Sequence, residues 1–143
     1  MRANMQNGTL IKTIFLKATP EKVWSYLTEA DKLGEWFHPA KENLKAGSSY
    51  ALKSASEPDP DCKLCWGEVL KANPFDLLIY SFTHDHLAGH ETTVRWDLAP
   101  VHGGTQLVMT HSGLEEAADP LGMLASHDAG WDKHFGQLRE ALT

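Results

Sequence analysis

Residues 119–142, with the sequence DPLGMLASHDAGWDKHFGQLREAL, contain the longest helical pattern in the chain. Asp119 suits the N-cap of a helix, and Pro120 suits its first position. Apolar and aromatic side chains, with two histidines among them, then recur at helical spacing: Leu124, His127, Trp131, His134 or Phe135, Leu138 and Leu142. The stretch therefore predicts a long amphipathic helix, which needs an apolar surface to cover.

The preceding part of the chain supplies that surface as short strand segments separated by turns. These segments are predicted at 48–54, 65–72, 77–83 and 92–99, with a fifth after Gly103-Gly104. Strand alternation places the following side chains on inward faces: Leu78, Tyr80 and Phe82; Val94, Trp96 and Leu98; and Leu107, Met109 and His111. Because the connections are short, we expect an antiparallel meander whose concave face the last helix covers.

The N-terminal part adds one strand and two short helices. Residues 8–17 are rich in β-branched side chains and predict a strand. Thr19 and Pro20 then predict a helix start, and a second short helix is expected from Asp31 until Pro39 ends it. The predicted fold class is α+β: a curved antiparallel sheet wrapped around a long C-terminal helix, with two short helices after the first strand.

Composition indicates an ordinary globular protein. The chain has 143 residues, of which 42% are hydrophobic and 22% charged, which predicts a single domain over 1–143 with an ordered core of about 9–142. The net charge of −6 disfavours nucleic-acid and anionic-membrane binding. No apolar run typical of a membrane span or a secretion signal is present, and two cysteines are too few for a disulfide framework. We therefore expect a cytoplasmic protein.

Several segments in a fixed order resemble a known superfamily. They are Ala18–Trp24 (ATPEKVW), Leu27-Thr28, Leu33–Trp36 (LGEW), Gly67–Leu70 (GEVL), Asn73-Pro74, Leu78–Phe82 (LIYSF), Gly104–Leu114 (GTQLVMTHSGL), Gly130-Trp131 and Leu138. Together, over roughly Thr9 to Leu142, the chain resembles the START-like (SRPBCC) superfamily, in the branch named after the activator of heat shock protein 90 ATPase. The resemblance implies a helix-grip fold with a cavity between the sheet and the last helix. Many relatives hold a hydrophobic small molecule there, some catalyse reactions on it, and the eukaryotic namesake is a co-chaperone.

An aromatic cavity is the first candidate site. Its predicted lining is Trp36, Phe37, Tyr80, Phe82, Trp96, Met109, His111, His127, Trp131, His134 and Phe135. Binding pockets are mostly apolar with a few polar groups, so we expect a small hydrophobic or aromatic ligand, with His111, His127 or His134 as hydrogen-bonding groups. The alternative is that these aromatic residues are ordinary core. The last helix also contains Gly122, Gly130 and Gly136. Their missing side chains allow either close packing of the helix on the sheet or an open cavity.

A metal site is a weaker candidate. A hairpin about residues 73–76 places Cys65 opposite His84 and Lys63 opposite His86, so Cys62, Cys65, His84 and His86 would meet at one end of the sheet. Two cysteines and two histidines can hold structural zinc, although the family does not require a metal here. The alternatives are two free thiols or a strained local disulfide under oxidation, and we predict no metal and no cofactor.

Two further functions stay open. Eight histidines would allow acid–base catalysis, yet no catalytic motif is present, so an enzyme acting on the cavity ligand is an alternative only. The other alternative is a co-chaperone-like stress protein that binds a protein partner. The predicted outer face of the sheet carries Thr93, Arg95 and Asp97, which are typical of a solvated surface rather than of an apolar docking patch. The partner role is therefore the less favoured alternative.

Overall fold

The computed structural model describes residues 8–53 and 64–142 of the chain. Its strands are β1 (Leu10–Leu16), β2 (Ser49–Leu52), β3 (Cys65–Asn73), β4 (Leu77–His84), β5 (Thr92–Val101) and β6 (Gly104–Ser112). Its helices are α1 (Pro20–Thr28), α2 (Ala30–Trp36) and α3 (Pro120–Ala141), with short 3₁₀ turns at Asp85–Leu87 and Leu114–Glu116. The predicted order of strands and helices is confirmed.

The six strands form one antiparallel sheet in the order β1-β6-β5-β4-β3-β2. The curved sheet and the long C-terminal helix make an α+β helix-grip fold, so the predicted fold class is confirmed. The alternation predicted for β5 and β6 is also confirmed, because Val94, Trp96, Met109 and His111 are all fully buried.

Both predicted helix starts are present. The Thr19 hydroxyl accepts a hydrogen bond from the backbone N–H of Lys22 at 3.3 Å, and Pro20 begins α1. The Asp119 carboxylate accepts one from the N–H of Gly122, also at 3.3 Å, at the start of α3. Both side chains therefore satisfy a donor that a helix N-terminus leaves free.

The core beneath α3 is built from aromatic rings whose polar atoms are satisfied internally. The indole of Trp36 donates to the carbonyl of Tyr26 at 2.8 Å, and that of Trp96 donates to the Tyr80 hydroxyl at 3.0 Å. Phe135 of α3 lies against both tryptophans, at ring-centroid distances of 6.4 and 6.0 Å. Buried indoles need such partners, so these contacts hold the helix on the sheet in one arrangement.

The β3–β4 hairpin has the register that the sequence predicts at its open end. Cys65 pairs with His84, as expected, and a β-bulge between Val69 and Lys71 shifts the rest of the ladder. The predicted partner of His86, Lys63, lies outside the described residues. The hairpin therefore brings Cys65 and His84 to one end of the sheet, near the 3₁₀ turn that carries His86.

Across residues 8–53 and 64–142, none of the helices combines the length and the apolar character needed to cross a membrane.

Candidate functional site

A cavity of about 750 Å³ lies between the N-terminal half of α3 and the open end of the β3–β4 hairpin. Its described lining consists of Phe37, His38, Leu64, Cys65, Phe82, His84, Asp85, His86, Asp119, Gly122, Met123, Ser126, His127, Gly130, Trp131 and His134. Its volume lies within the roughly 300–1,000 Å³ that is usual for small-molecule sites. The site thus combines aromatic rings, five imidazoles and two carboxylates.

Small residues of α3 line this cavity. Gly122, Ser126 and Gly130 follow one another at four-residue spacing and all line it, so they lie on one face of the helix. A Cβ at Gly130 would meet no atom within 4 Å, and the same holds for Gly136, which is exposed and outside the lining. At Gly130 the structure therefore shows open space rather than close packing.

Two imidazoles on facing elements are hydrogen-bonded to each other on the cavity wall. Nε2 of His84 in β4 and Nε2 of His127 in α3 are 2.9 Å apart, and Nδ1 of His127 lies 2.7 Å from the carbonyl of Met123. A carbonyl can only accept, so Nδ1 of His127 carries the proton and its Nε2 accepts from His84 in the neutral pair. Nδ1 of His84 is then a lone-pair acceptor, and it is buried without a hydrogen-bond partner.

Burial keeps this pair uncharged. Burial, and then the nearby His127 and His86 rings, lower the pKa of His84 to about 4. Burial also lowers the pKa of His127, against the opposing effect of the Met123 carbonyl. At pH 7 both rings are therefore neutral, and both are weak proton acceptors.

His111 lies behind this wall with both ring nitrogens occupied. Its Nδ1 accepts from the indole of Trp131 at 3.0 Å, and its Nε2 lies 2.8 Å from the Thr92 hydroxyl. That hydroxyl donates to the carbonyl of Phe82 at 2.7 Å. Burial, followed by the His127 and His84 rings, lowers the pKa of His111 to about 3, so the ring is a neutral structural link between β5, β6 and α3.

His38 and His134 form a second imidazole pair near Phe37. Their ring centroids are 5.2 Å apart, and Nδ1 of His134 lies 3.1 Å from the Trp36 carbonyl. Burial, followed by the charge of His134, lowers the pKa of His38 to about 4. Burial also lowers the pKa of His134, opposed by its hydrogen bonds to Trp36 and Gln137. This side of the cavity is therefore also uncharged at neutral pH.

Three of the four residues of the zinc hypothesis, Cys65, His84 and His86, lie in the described part of the chain. Cys62 lies outside the described residues, whereas Cys65 is a buried free thiol whose pKa burial raises to about 12. Within residues 8–53 and 64–142, no three His, Cys, Asp or Glu side chains are grouped so as to hold a metal ion. The described residues therefore offer no metal centre.

The structure divides the eleven predicted cavity residues into two groups. Phe37, Phe82, His127, Trp131 and His134 line the cavity. Trp36, Tyr80, Trp96, Met109, His111 and Phe135 are buried in the core and do not line it. For the second group the structure supplies packing against other side chains where the sequence predicted ligand contact.

Several residues that line the cavity are not among the lining residues predicted from the sequence. Cys65, His84 and His86 are predicted from the sequence only as a possible zinc site and, for the histidines, as members of the set of eight that would allow acid–base catalysis. His38 belongs only to that set of eight, and Asp85 has no predicted role. Two sequence features indicate these lining residues. One is the Cys65–His84 register, which places the end of β4 beside the cavity, and the other is the spacing of Gly122, Ser126 and Gly130. His38 follows the second helix and had no periodic signal of its own.

Comparison with known proteins agrees with this fold. The model of the family described as "Activator of Hsp90 ATPase homolog 1-like protein" matches residues 17–143. No curated protein matches the chain.

Solved structures share the fold at low sequence identity. Protein MLL2253 from Mesorhizobium loti has a TM-score of 0.78 and 23% identity, over 92% of this chain and 94% of that one. The Aha1 dimer from Colwellia psychrerythraea has a TM-score of 0.74 and 22% identity, over 94% and 95%. CalU16 from Micromonospora echinospora has a TM-score of 0.73 and 23% identity, over 91% and 73%.

Proposed function

This chain belongs to the activator of Hsp90 ATPase homolog 1-like family, whose fold is generally a ligand-binding fold, and we propose that it reversibly binds a small hydrophobic or aromatic molecule. The site is the cavity between α3 and the open end of the β3–β4 hairpin. The observation that carries the proposal is the open volume of about 750 Å³ beside an aromatic wall.

The aromatic wall supplies the affinity. Phe37 and Trp131 are stacked at a centroid distance of 5.2 Å, and Phe82 lies 6.5 Å from Trp131. A ligand that covers these rings removes apolar surface from water, which contributes about 25 cal/mol per Å². Mostly apolar lining with a few polar groups is the usual composition of a small-molecule site.

The core behind this wall keeps it in place. Trp131 is fixed by its hydrogen bond to His111 and by stacking on Phe135 at 5.6 Å. Phe135 in turn packs against Trp96. The predicted residues that do not line the cavity therefore support it, which reduces the ordering that binding requires.

A cavity-blocking variant tests the proposal. Gly130→Leu places a side chain into the open space, whereas Gly136→Leu adds the same side chain at an exposed position of the same helix, outside the described lining. The neutral probe is 1-naphthalenemethanol, monitored by tryptophan fluorescence and by the melting temperature. We expect the wild type and Gly136→Leu to bind it and Gly130→Leu to lose binding while staying folded.

Equal binding by both variants would exclude the cavity as the site, and no binding by the wild type would contradict the proposal for this probe. The same variants bear on the two other functions. A co-chaperone would keep its effect on a partner in Gly130→Leu. An enzyme would lose turnover in His134→Ala with the fold intact.

A further inference from the structure

The charged carboxylate and basic side chains of the described lining are all of one sign. Among its described lining residues, Asp85 and Asp119 are the two carboxylates, and neither Lys nor Arg is present. Asp85 is exposed on the 3₁₀ turn after β4, and Asp119 is exposed at the start of α3. The two carboxylates thus come from two different elements of the cavity wall.

Four of the five imidazoles in the described lining do not offset these charges. Burial lowers the pKa of four of the five lining histidines, namely His38, His84, His127 and His134. The 2.9 Å contact between Nε2 of His84 and Nε2 of His127 allows at most one of these two rings to be protonated. An anion beside these four half-buried rings would have to protonate one of them before it gained a counter-charge.

The charged groups of the described lining are hydrogen-bond acceptors. Carboxylates only accept, and Asp85 and Asp119 are both exposed. A ligand that matches this wall therefore brings hydrogen-bond donors. An ammonium group brings three donors and a positive charge, and aromatic faces such as Phe37, Phe82 and Trp131 also attract cations.

We propose that the ligand is a hydrophobic or aromatic amine, bound as its cation with the ring on the aromatic wall and the ammonium towards Asp85 and Asp119. This inference rests on the ligand-binding function proposed above and adds the charge of the ligand. An acid of the same shape would be excluded, since it would meet two carboxylates and no cation among the described lining residues.

Three probes of nearly the same shape separate the charge from the ring. They are 1-naphthylmethylamine, which is cationic at pH 7, 1-naphthalenemethanol, which is neutral, and 1-naphthoic acid, which is anionic. Binding of each to the full chain is measured by titration calorimetry at low ionic strength, where charge effects are least screened. We expect the amine to bind about five- to tenfold more tightly than the alcohol, and the acid at least about tenfold more weakly.

A double variant tests the two carboxylates. Asp85→Asn together with Asp119→Asn removes both charges, and Asn at residue 119 still caps the helix. Glu42→Gln is the matched control, since it removes an exposed charge outside the described lining. The double variant should bind the amine and the alcohol equally, with the affinity for the alcohol unchanged, and the control should keep the preference for the amine.

The outcomes separate this inference from the function on which it rests. If the alcohol binds but the amine is no tighter, or if the amine preference survives in the double variant, the charge inference is wrong and ligand binding stands. Tightest binding of the acid also overturns it. If none of the three probes binds, both proposals fail.

Discussion

At the scale of single residues, His111 is a structural group. It connects Trp131 to Thr92 through both of its ring nitrogens and is fully buried. Its position in the sequence, on the inward face at the end of a strand, is equally compatible with contact to a ligand and with a role as a general base. The hydrogen bonds decide between these roles, because neither nitrogen is left for a ligand.

Removal of this link should destabilise the protein. His111→Ala leaves the indole N–H of Trp131 buried without an acceptor and opens a hole beside it, so we expect a loss of about 3 kcal/mol in the free energy of unfolding. His86→Ala, at an exposed ring, is the control and should change stability by less than about 0.5 kcal/mol. Urea unfolding measures both, and equal losses would contradict the structural role of His111.

The neutral imidazoles also predict acid sensitivity. Unfolded histidines take up protons near pH 6.5, whereas folded His38 and His84 do so only near pH 4. Between these values the unfolded chain binds more protons, so stability is full above pH 6.5 and falls as the pH is lowered towards 4. We expect the urea midpoint to drop from pH 7 to pH 4.5.

The double variant His38→Gln with His84→Gln should flatten this dependence, since it removes two of the groups responsible. A wild-type midpoint that stays constant from pH 7 to pH 5 would show that these rings are not held neutral.

At the scale of elements, two glycines have opposite roles. Gly67 in β3 lies against the backbone of β4, where an added Cβ would overlap the carbonyl of Ser81. The strands approach closely here because the Ser81 hydroxyl accepts the N–H of Glu68 at 2.9 Å and the Ser81 carbonyl accepts the Tyr50 hydroxyl at 2.7 Å. Gly130 in α3 has open space instead.

The same substitution should therefore change stability in opposite directions. Gly67→Ala forces the two strands apart and should cost at least about 2 kcal/mol. Gly130→Ala should stabilise α3 by up to about 1 kcal/mol, because alanine has the higher helix propensity and its methyl group meets nothing. Thermal unfolding of both variants checks the signs, and a stabilising Gly67→Ala would contradict the close approach of the strands.

At the scale of the whole molecule, the cavity lies at one end of the core. Trp36, Trp96 and Phe135 fill the space between the sheet and the middle of α3. The cavity begins where α3 presents the small residues Gly130, Ser126 and Gly122 towards the end of the β3–β4 hairpin. A ligand would therefore bind beside the core without replacing any of it.

A ligand held in this cavity should survive purification. We expect native mass spectrometry of protein isolated from cells to show a mass a few hundred daltons above that under denaturing conditions, and Gly130→Leu to abolish the difference. An excess equal to one zinc ion would instead support the metal hypothesis. An unchanged difference in Gly130→Leu would place the bound molecule elsewhere.

The sequence by itself determines the order of strands and helices, the caps at Thr19 and Asp119 and the inward faces of β4, β5 and β6. These features depend on local backbone preferences and on side-chain periodicity, which a short window contains. The Cys65–His84 register follows in the same way, because a short turn defines the hairpin.

Only the tertiary structure decides which inward side chains face open space. Tyr80, Phe82 and Trp96 share the same alternation, yet Phe82 lines the cavity and the other two are core. The hydrogen-bonded pair of His84 and His127 joins residues 43 positions apart. Cavities and buried hydrogen bonds depend on how the curved sheet and α3 pack together. No local pattern in the sequence encodes the spacing between the sheet and the helix.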